Sequence, residues 1–494
     1  MSEDNLKLRT ARTLKWNVID RVLQQVLYAV TGIVLARELS QADFGLVGAV
    51  LIFQAFASLL VDSGFSYALI QRKQPTRLDY SSVLWFNMLV ACSTYVILWF
   101  SAPLIASWFE NDERLIPLSR VMFTSFILNA SAIVQTNRFV KEMNVRPVAM
   151  SNAIGLALGS IVGIWMAVTG WGAWAIVWQT IVNAGVKSLI LWCVSRWTPM
   201  LRMSWTSLRS FMSVGMGMMF TSFLNTLFLN IYSFFIGHRV GLTSLGYYTQ
   251  SDKWSKMGIS SLSQVFTSTY LPVLSSVQDD AERFANMLRK MNRFTAYLLF
   301  PAMLGLCIVA TPLFHVLFGT KWDPSIMLFQ LLLVRGIFTV LTGLYSNYLL
   351  ALGRSKLIVW MEVLRDGTAL LALFITLPYM SLTTAENPVY GISILLWGQL
   401  IASVVAWIGT LICVSRQAKV TVWQHIADCV PYFLISMLMI AVVYALQTII
   451  ASDVLSLISA VITGAAIYMA STSCCVRAYN ATSSPTSAEN YKIK

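Results

Sequence analysis

The chain has 494 residues, of which 57% are hydrophobic and only 12% charged, with a mean hydropathy of +0.67. That length would suit about two to four soluble domains, but soluble proteins carry roughly a quarter charged residues, so the composition excludes a soluble enzyme or binding module and places the chain in a bilayer. The net charge of +13, from 35 Lys and Arg against 22 Asp and Glu, has two readings, nucleic-acid binding or membrane topology, and the position of the charges decides between them.

Fourteen stretches near the ~20 apolar residues needed to cross the hydrocarbon core fall at about 16–36, 43–65, 82–105, 115–136, 147–168, 171–194, 211–236, 245–275, 294–316, 325–350, 357–378, 388–413, 427–449 and 453–472. The connections between them are short and leave no room for an extramembrane domain. The first stretch is interrupted by Asp20 and Arg21, and the eighth by Asp252, Lys253 and Lys256. The first is also too long and charge-broken for a cleavable signal peptide. With the N-terminus cytoplasmic, 24 Lys and Arg fall on the cytoplasmic side, four (Arg37, Arg114, Arg239 and Lys321) on the other, and seven within spans. Such an imbalance is the positive-inside pattern, with both termini cytoplasmic. The basic charge is therefore read as topology, and no nucleic-acid partner is expected. Trp171, Trp174, Trp197, Trp205 and Trp322 fall near span ends, where an aromatic belt would put them. The seven cysteines lack the close Cys/His clustering of a zinc site and read as reduced packing residues.

Spans 1–6 and 7–12 share a rhythm. Phe44-Gly45 and Leu245-Gly246 open spans 2 and 8 at an offset of 201, and basic turns after Asn137 and Asn347 end spans 4 and 10 at an offset of 210. Six spans per copy gives parallel repeats about an axis along the membrane normal. The expected fold is an all-α polytopic membrane protein with about 14 transmembrane helices: a cytoplasmic segment 1–15, an N-lobe 16–210, a C-lobe 211–416, two added helices in 417–476, and a cytoplasmic tail 477–494.

Charged groups at membrane depth cost several kcal/mol unless they face protein or a wet cavity. On span 1, Asn17, Asp20, Arg21, Gln24, Gln25 and Tyr28 recur at steps that form one polar stripe. Asp252 and Lys256 are one turn apart on span 8 beside Lys253, and span 11 carries Glu362, Arg365 and Asp366, in which the two acids would repel unless a cation sits between them. Span 10 adds Arg335, and span 7 adds Asn225 and Asn230. Arg21, Lys253, Lys256, Arg335 and Arg365 are read as cations lining a water-filled cavity. Asp20, Asp252, Glu362, Asp366, Asn225 and Asn230 are read as their supports or as coupling-ion ligands. Arg120, Lys187, Asp62 and Asp428 lie close enough to span ends to reach the interface. A cationic cavity at that depth suits an anion such as phosphate, which Arg can fork and Lys can meet as a point charge. There is no nucleotide-binding Gly-rich loop, no catalytic His constellation, no metal set and no cofactor motif, so Na+ or H+ coupling, or the ligand's own gradient, is the expected drive.

Val61-Asp62-Ser63-Gly64-Phe65-Ser66-Tyr67-Ala68-Leu69-Ile70-Gln71-Arg72-Lys73 resembles a turn of the polysaccharide transporter, or Wzx-type oligosaccharide flippase, family. Tyr270-Leu271-Pro272-Val273-Leu274, running on to Asp279-Asp280, with Phe300-Pro301-Ala302 and Leu317-Phe318-Gly319-Thr320-Lys321-Trp322, resembles further strings of that family in the same order and spacing. The likeness covers roughly residues 10–420 and is similar to the colanic-acid-exporter-like branch. It implies the fold of the multidrug/oligosaccharidyl-lipid/polysaccharide (MOP) superfamily, with two six-helix lobes and two C-terminal helices. It also implies a polyprenyl-pyrophosphate-linked oligosaccharide as substrate, moved to the outer leaflet of the bacterial inner membrane during surface polysaccharide assembly. Membrane lipid and other polysaccharide-assembly proteins are the expected partners, and a monomer the expected state. The competing readings are a multidrug exporter of the same superfamily, a membrane polysaccharide polymerase or ligase, and a non-transporting scaffold. The five cations disfavour an exporter of organic cations, and the short outer loops disfavour the enzyme.

Overall fold

A computed structural model describes residues 3–62, 64–384, 386–418 and 420–482. Ser63 of the family-like string, residues 1–2 of the N-terminal segment, residues 483–494 of the expected tail and the side chains of Cys474 and Cys475 lie outside that description. The described residues form seventeen α-helices and no strand: α1 Glu3–Glu38, α2 Gln41–Asp62, α3 Phe65–Gln71, α4 Arg77–Trp108, α5 Leu115–Met122, α6 Thr124–Lys141, α7 Arg146–Val168, α8 Trp174–Ser195, α9 Trp205–Arg239, α10 Leu242–Ser275, α11 Ala281–Ile308, α12 Ala310–Phe318, α13 Asp323–Ala351, α14 Ser355–Thr376, α15 Tyr390–Ala418, α16 Val422–Gln447 and α17 Asp453–Thr482.

Local chemistry sets several of these ends. Thr76 and Asp79 form a reciprocal capping box at the start of α4, and Thr421 and Gln424 form another at α16, each satisfying two otherwise orphaned backbone donors. Asp280 accepts from the Glu282 and Arg283 amides, each at 3.1 Å, to open α11. In the α4–α5 connection, Arg114 forks onto Asp112 at 3.0 and 2.6 Å. That hydrogen-bonded guanidinium holds the Asp112 carboxyl below the usual carboxylate range.

Among the described residues, twelve helical segments are long and apolar enough to cross a membrane. The eighth and eleventh of the expected fourteen spans correspond to α10 and α14, helices of 34 and 22 residues that fall outside this set: the charge-free part of α10 is rich in Ser, Thr and Gln, and α14 carries Glu362, Arg365 and Asp366 together. Large apolar side chains such as Phe100, Phe220 and Ile97 stay exposed on the helices, as lipid contact requires.

The chain divides into two compact units between Thr249 and Gln250. This is later than the expected lobe boundary at 210/211, because α9 packs on α2, α3 and α4. In the first unit, α7 lies on α8 along Gly155, Gly159 and Gly163, one turn apart. A side-chain carbon at Gly155 or Gly159 would fall 2.9 or 2.7 Å from an α8 carbonyl, the small-residue ridge by which membrane helices approach closely. The start of α10 crosses the start of α2 at still closer range. A Cβ on Gly45 would lie 1.8 Å from the Leu242 carbonyl oxygen, and one on Gly246 would lie 1.9 Å from the Gln41 carbonyl oxygen.

In the second unit, α11, α13, α14 and α15 pack together, with α16 and α17 laid on α11 and α12. Trp322 is fully buried there rather than exposed at a membrane belt, as are Phe314 and Phe318, whose rings meet edge to face. Trp171 and Trp205, by contrast, are exposed at helix ends. The described cysteines are free. Cys429 is buried, while Cys92 and Cys193 lie exposed on helix surfaces rather than packed.

Candidate functional site

In the second unit the intramembrane charges sit on α10, α13 and α14. On α10 the Lys256 ammonium is 2.6 Å from Asp252, one turn back, and remains 48% exposed. Lys253 lies 5.7 Å from the centre of the Trp254 ring. One turn further along α10, Ile259 occupies the space that a side chain at Gly336 of α13 would need. Lys256 precedes that contact by one turn on α10, and Arg335 is the residue before Gly336 on α13. Arg335 is half-buried, and its Nε is buried without a hydrogen-bond partner among the described residues. An orphaned guanidinium nitrogen carries the desolvation cost of a charged donor unless an acceptor is supplied from outside. On α14, Arg365 bridges the two acids, with its Nη2 on Glu362 and its Nε 3.0 Å from Asp366. The expected clash of like charges is thus relieved by the arginine between them, which stays 38% exposed. Both ion pairs stay partly exposed.

The first unit holds the other candidates. Arg21 is exposed on α1. Asp20 accepts from Gln24 at 2.7 Å and from Asn152 of α7 at 3.1 Å. Asn225 is exposed on α9, and Asn230 donates back to the Thr226 carbonyl at 2.8 Å, a bond within its own helix.

Two polar assemblies escaped the sequence reading. Asp62 and Lys187, assigned to span ends, line one cavity of about 220 Å³ with Asn129, Thr136 and Asn137. Ser66 donates to Asp62 and accepts from Asn137 at 2.8 Å. Lys141 donates to the Leu69 and Ile70 carbonyls at 3.1 and 3.0 Å, so the string 61–73 and the end of α6 are tied together. Asp428, also assigned to an interface, is instead 3% exposed. Arg289 forks onto it at 3.0 and 3.1 Å, and Arg293 meets it at 2.7 Å. Beside it Asn292 donates to the His425 carbonyl and accepts from Tyr345. The available signal was the i,i+4 spacing of Arg289 and Arg293 on one face of α11. Arg120 does stay at the surface, over the Trp99 ring at 4.7 Å. An apolar groove of about 370 Å³ runs between α11, α16 and α17, walled by small residues that include Gly305, Ala460 and Gly464.

Long, close-packed helices with exposed apolar faces define a multi-pass membrane protein, and its fold is one shared with solved flippase and multidrug transporter structures. The chain is similar to the lipid II flippase MurJ in an inward closed conformation, with a TM-score of 0.72 and 16% identity over 94% of this chain and 99% of that one. It is similar also to an inward-facing multidrug resistance MATE transporter, with a TM-score of 0.58 and 16% identity over 82% and 99%.

Residues 34–327 match the family described as polysaccharide biosynthesis protein, and the chain belongs to that family. It is 26% identical to the succinoglycan biosynthesis transport protein ExoT of Rhizobium meliloti (strain 1021), over 72% of each chain. It is 25% identical to the lipopolysaccharide biosynthesis protein WzxC of Escherichia coli (strain K12), over 71% of each. With the teichuronic acid biosynthesis protein TuaB of Bacillus subtilis (strain 168) the identity is 24%, over 69% of this chain and 71% of that one.

Proposed function

We propose that this protein is a flippase for polyprenyl-pyrophosphate-linked oligosaccharides, carrying them from the cytoplasmic to the outer leaflet of the bacterial inner membrane by alternating access. Its work is transport rather than catalysis, and both termini lie in the cytoplasm, in keeping with the positive-inside count. The observation that carries this reading is Arg335, a cation within a membrane-crossing helix whose buried Nε has no acceptor among the described residues. A pyrophosphate oxygen supplies such an acceptor. Lys253, Lys256 and Arg365, in the same unit as Arg335, add positive charge for the headgroup and for acidic sugars. The carboxylates Asp252, Glu362 and Asp366 hold Lys256 and Arg365 in place by ion pairs while the site is empty. Asp20, whose hydrogen-bond donors are two amides, is the candidate for exchanging a coupling H+ or Na+. The prenyl tail stays in the bilayer, and the groove along α11, α16 and α17 offers it an apolar wall.

Release requires that the headgroup be bound unequally in the two access states, since a ligand drives an equilibrium only by its differential affinity. Arg335→Ala and Arg365→Ala are each expected to slow flipping of a labelled lipid-linked oligosaccharide in proteoliposomes by about tenfold or more, the loss of one charge-assisted contact. Elution and melting of the purified variants should match the parent. Parental rates in both would refute the assignment.

A further inference from the structure

At the shared end of two membrane-crossing segments, Thr10–Glu38 and Arg146–Val168, a cavity of about 560 Å³ is lined by Arg12, Thr13, Lys15, Trp16, Asn144 and Arg146, among others, and among the described residues by no carboxylate. From this geometry we infer a binding site for the phosphate headgroup of a membrane lipid. The place is built rather than incidental. Met143 ends α6 in the left-handed conformation, with φ 55°, and the Asn144 amide reaches back to the Phe139 carbonyl at 2.9 Å, the hydrogen bond of a helix-terminating turn. The Thr13 hydroxyl donates to the Met143 carbonyl at 2.7 Å, fixing the first helix on that turn. The Arg146 guanidinium stacks over the Trp16 ring at 5.4 Å, which orients its fork and sets an aromatic ring at the level of the bilayer surface.

Three cations therefore converge where two spans leave the membrane. The acid adjoining the turn, Glu142, is taken by Arg138 at 3.7 Å. The first turn of α7 contributes the positive end of a 23-residue helix to the same spot. Basic pockets at this depth suit anionic lipid heads, and arginine meets a phosphate through two parallel hydrogen bonds. The sequence explains these basic residues as topology alone, whereas the structure gives three of them one target.

Two sources share that chemistry: an anionic phospholipid of the surrounding leaflet, and the pyrophosphate head of a polyprenyl lipid. The test is native mass spectrometry of the delipidated full-length protein with phosphatidylglycerol, polyprenyl pyrophosphate and zwitterionic phosphatidylcholine as probes. The same titrations are run on the Arg12→Gln/Lys15→Gln/Arg146→Gln variant and on Lys15→Gln alone, which changes one exposed side chain. The parent should prefer an anionic head over phosphatidylcholine by about tenfold, and the triple variant should lose that preference. Preference for phosphatidylglycerol assigns the site to bilayer lipid, and preference for the pyrophosphate alone assigns it to a docking step before transport. Either supports the inference. Equal binding of all three lipids, or a preference that survives the triple variant, overturns it. A photoreactive phosphatidylglycerol should label residues 11–16 or 143–146 of the parent, and labelling confined to other segments would also overturn it. Flipping assays report on Arg335 and Arg365 independently, so the failure of one reading leaves the other standing.

Discussion

Leucine in place of Gly45 or Gly246 is expected to leave no correctly folded protein. A single added carbon would sit 1.8 or 1.9 Å from a carbonyl oxygen of the crossing helix, and a backbone atom cannot rotate aside as a side chain would. The two helices would have to separate along their whole contact, losing the dispersion energy of a close-packed interface. A cost above about 4 kcal/mol is expected, in the range that only a few named mechanisms reach. Fluorescence-detected size exclusion of detergent extracts should show aggregate or no peak for either variant. Gly367→Ala serves as the control, since Gly367 lies inside α14 with nothing within 4 Å of its added carbon. There alanine should be neutral or stabilise by up to ~1 kcal/mol through helix propensity. A monodisperse Gly45→Leu protein with the parental melting temperature would sink the argument.

Asp428→Asn should destabilise the second unit by about 2–3 kcal/mol. Removing one partner from a fully buried ion pair costs about 3–5 kcal/mol because the other charge is stranded. Here the carboxylate is buried, but Arg289 and Arg293 are 32% and 44% exposed, so water recovers part of that cost. Asparagine keeps the shape and one acceptor, which makes charge the variable tested. Thermal unfolding in detergent should shift downward, and the Arg289→Gln/Arg293→Gln protein should be affected less than additively by a further Asp428→Asn change. An unchanged midpoint in Asp428→Asn would show that the three side chains do not hold α11 to α16.

What the sequence revealed follows the range of the interactions involved. Apolar runs placed the membrane helices, because a bilayer imposes length and composition directly. The Lys256–Asp252 and Glu362–Arg365–Asp366 groupings were visible because each is confined to about one turn of a single helix. Asp428 was not, because its arginines come from another helix more than a hundred positions earlier, and a lone acid near a basic loop reads the same whether it is solvated or buried. The cavity shared by Asp62 and Lys187 was hidden for the same reason: α2, α3, α6 and α8 must meet before it exists. Trp322 misled by its position, since a tryptophan at a span end fits a membrane belt until the fold buries it.

The crossing of α2 and α10 has a further consequence. Gly45 abuts Leu242 while Gly246 abuts Gln41, and both glycines, like Gln41 and Leu242, are 201 positions apart. Each contact is thus the counterpart of the other, a glycine against a backbone carbonyl, which is the self-complementary arrangement found at a twofold interface. Because the facing atom is main chain in both cases, no substitution on the opposing helix can make room for a larger residue at either glycine.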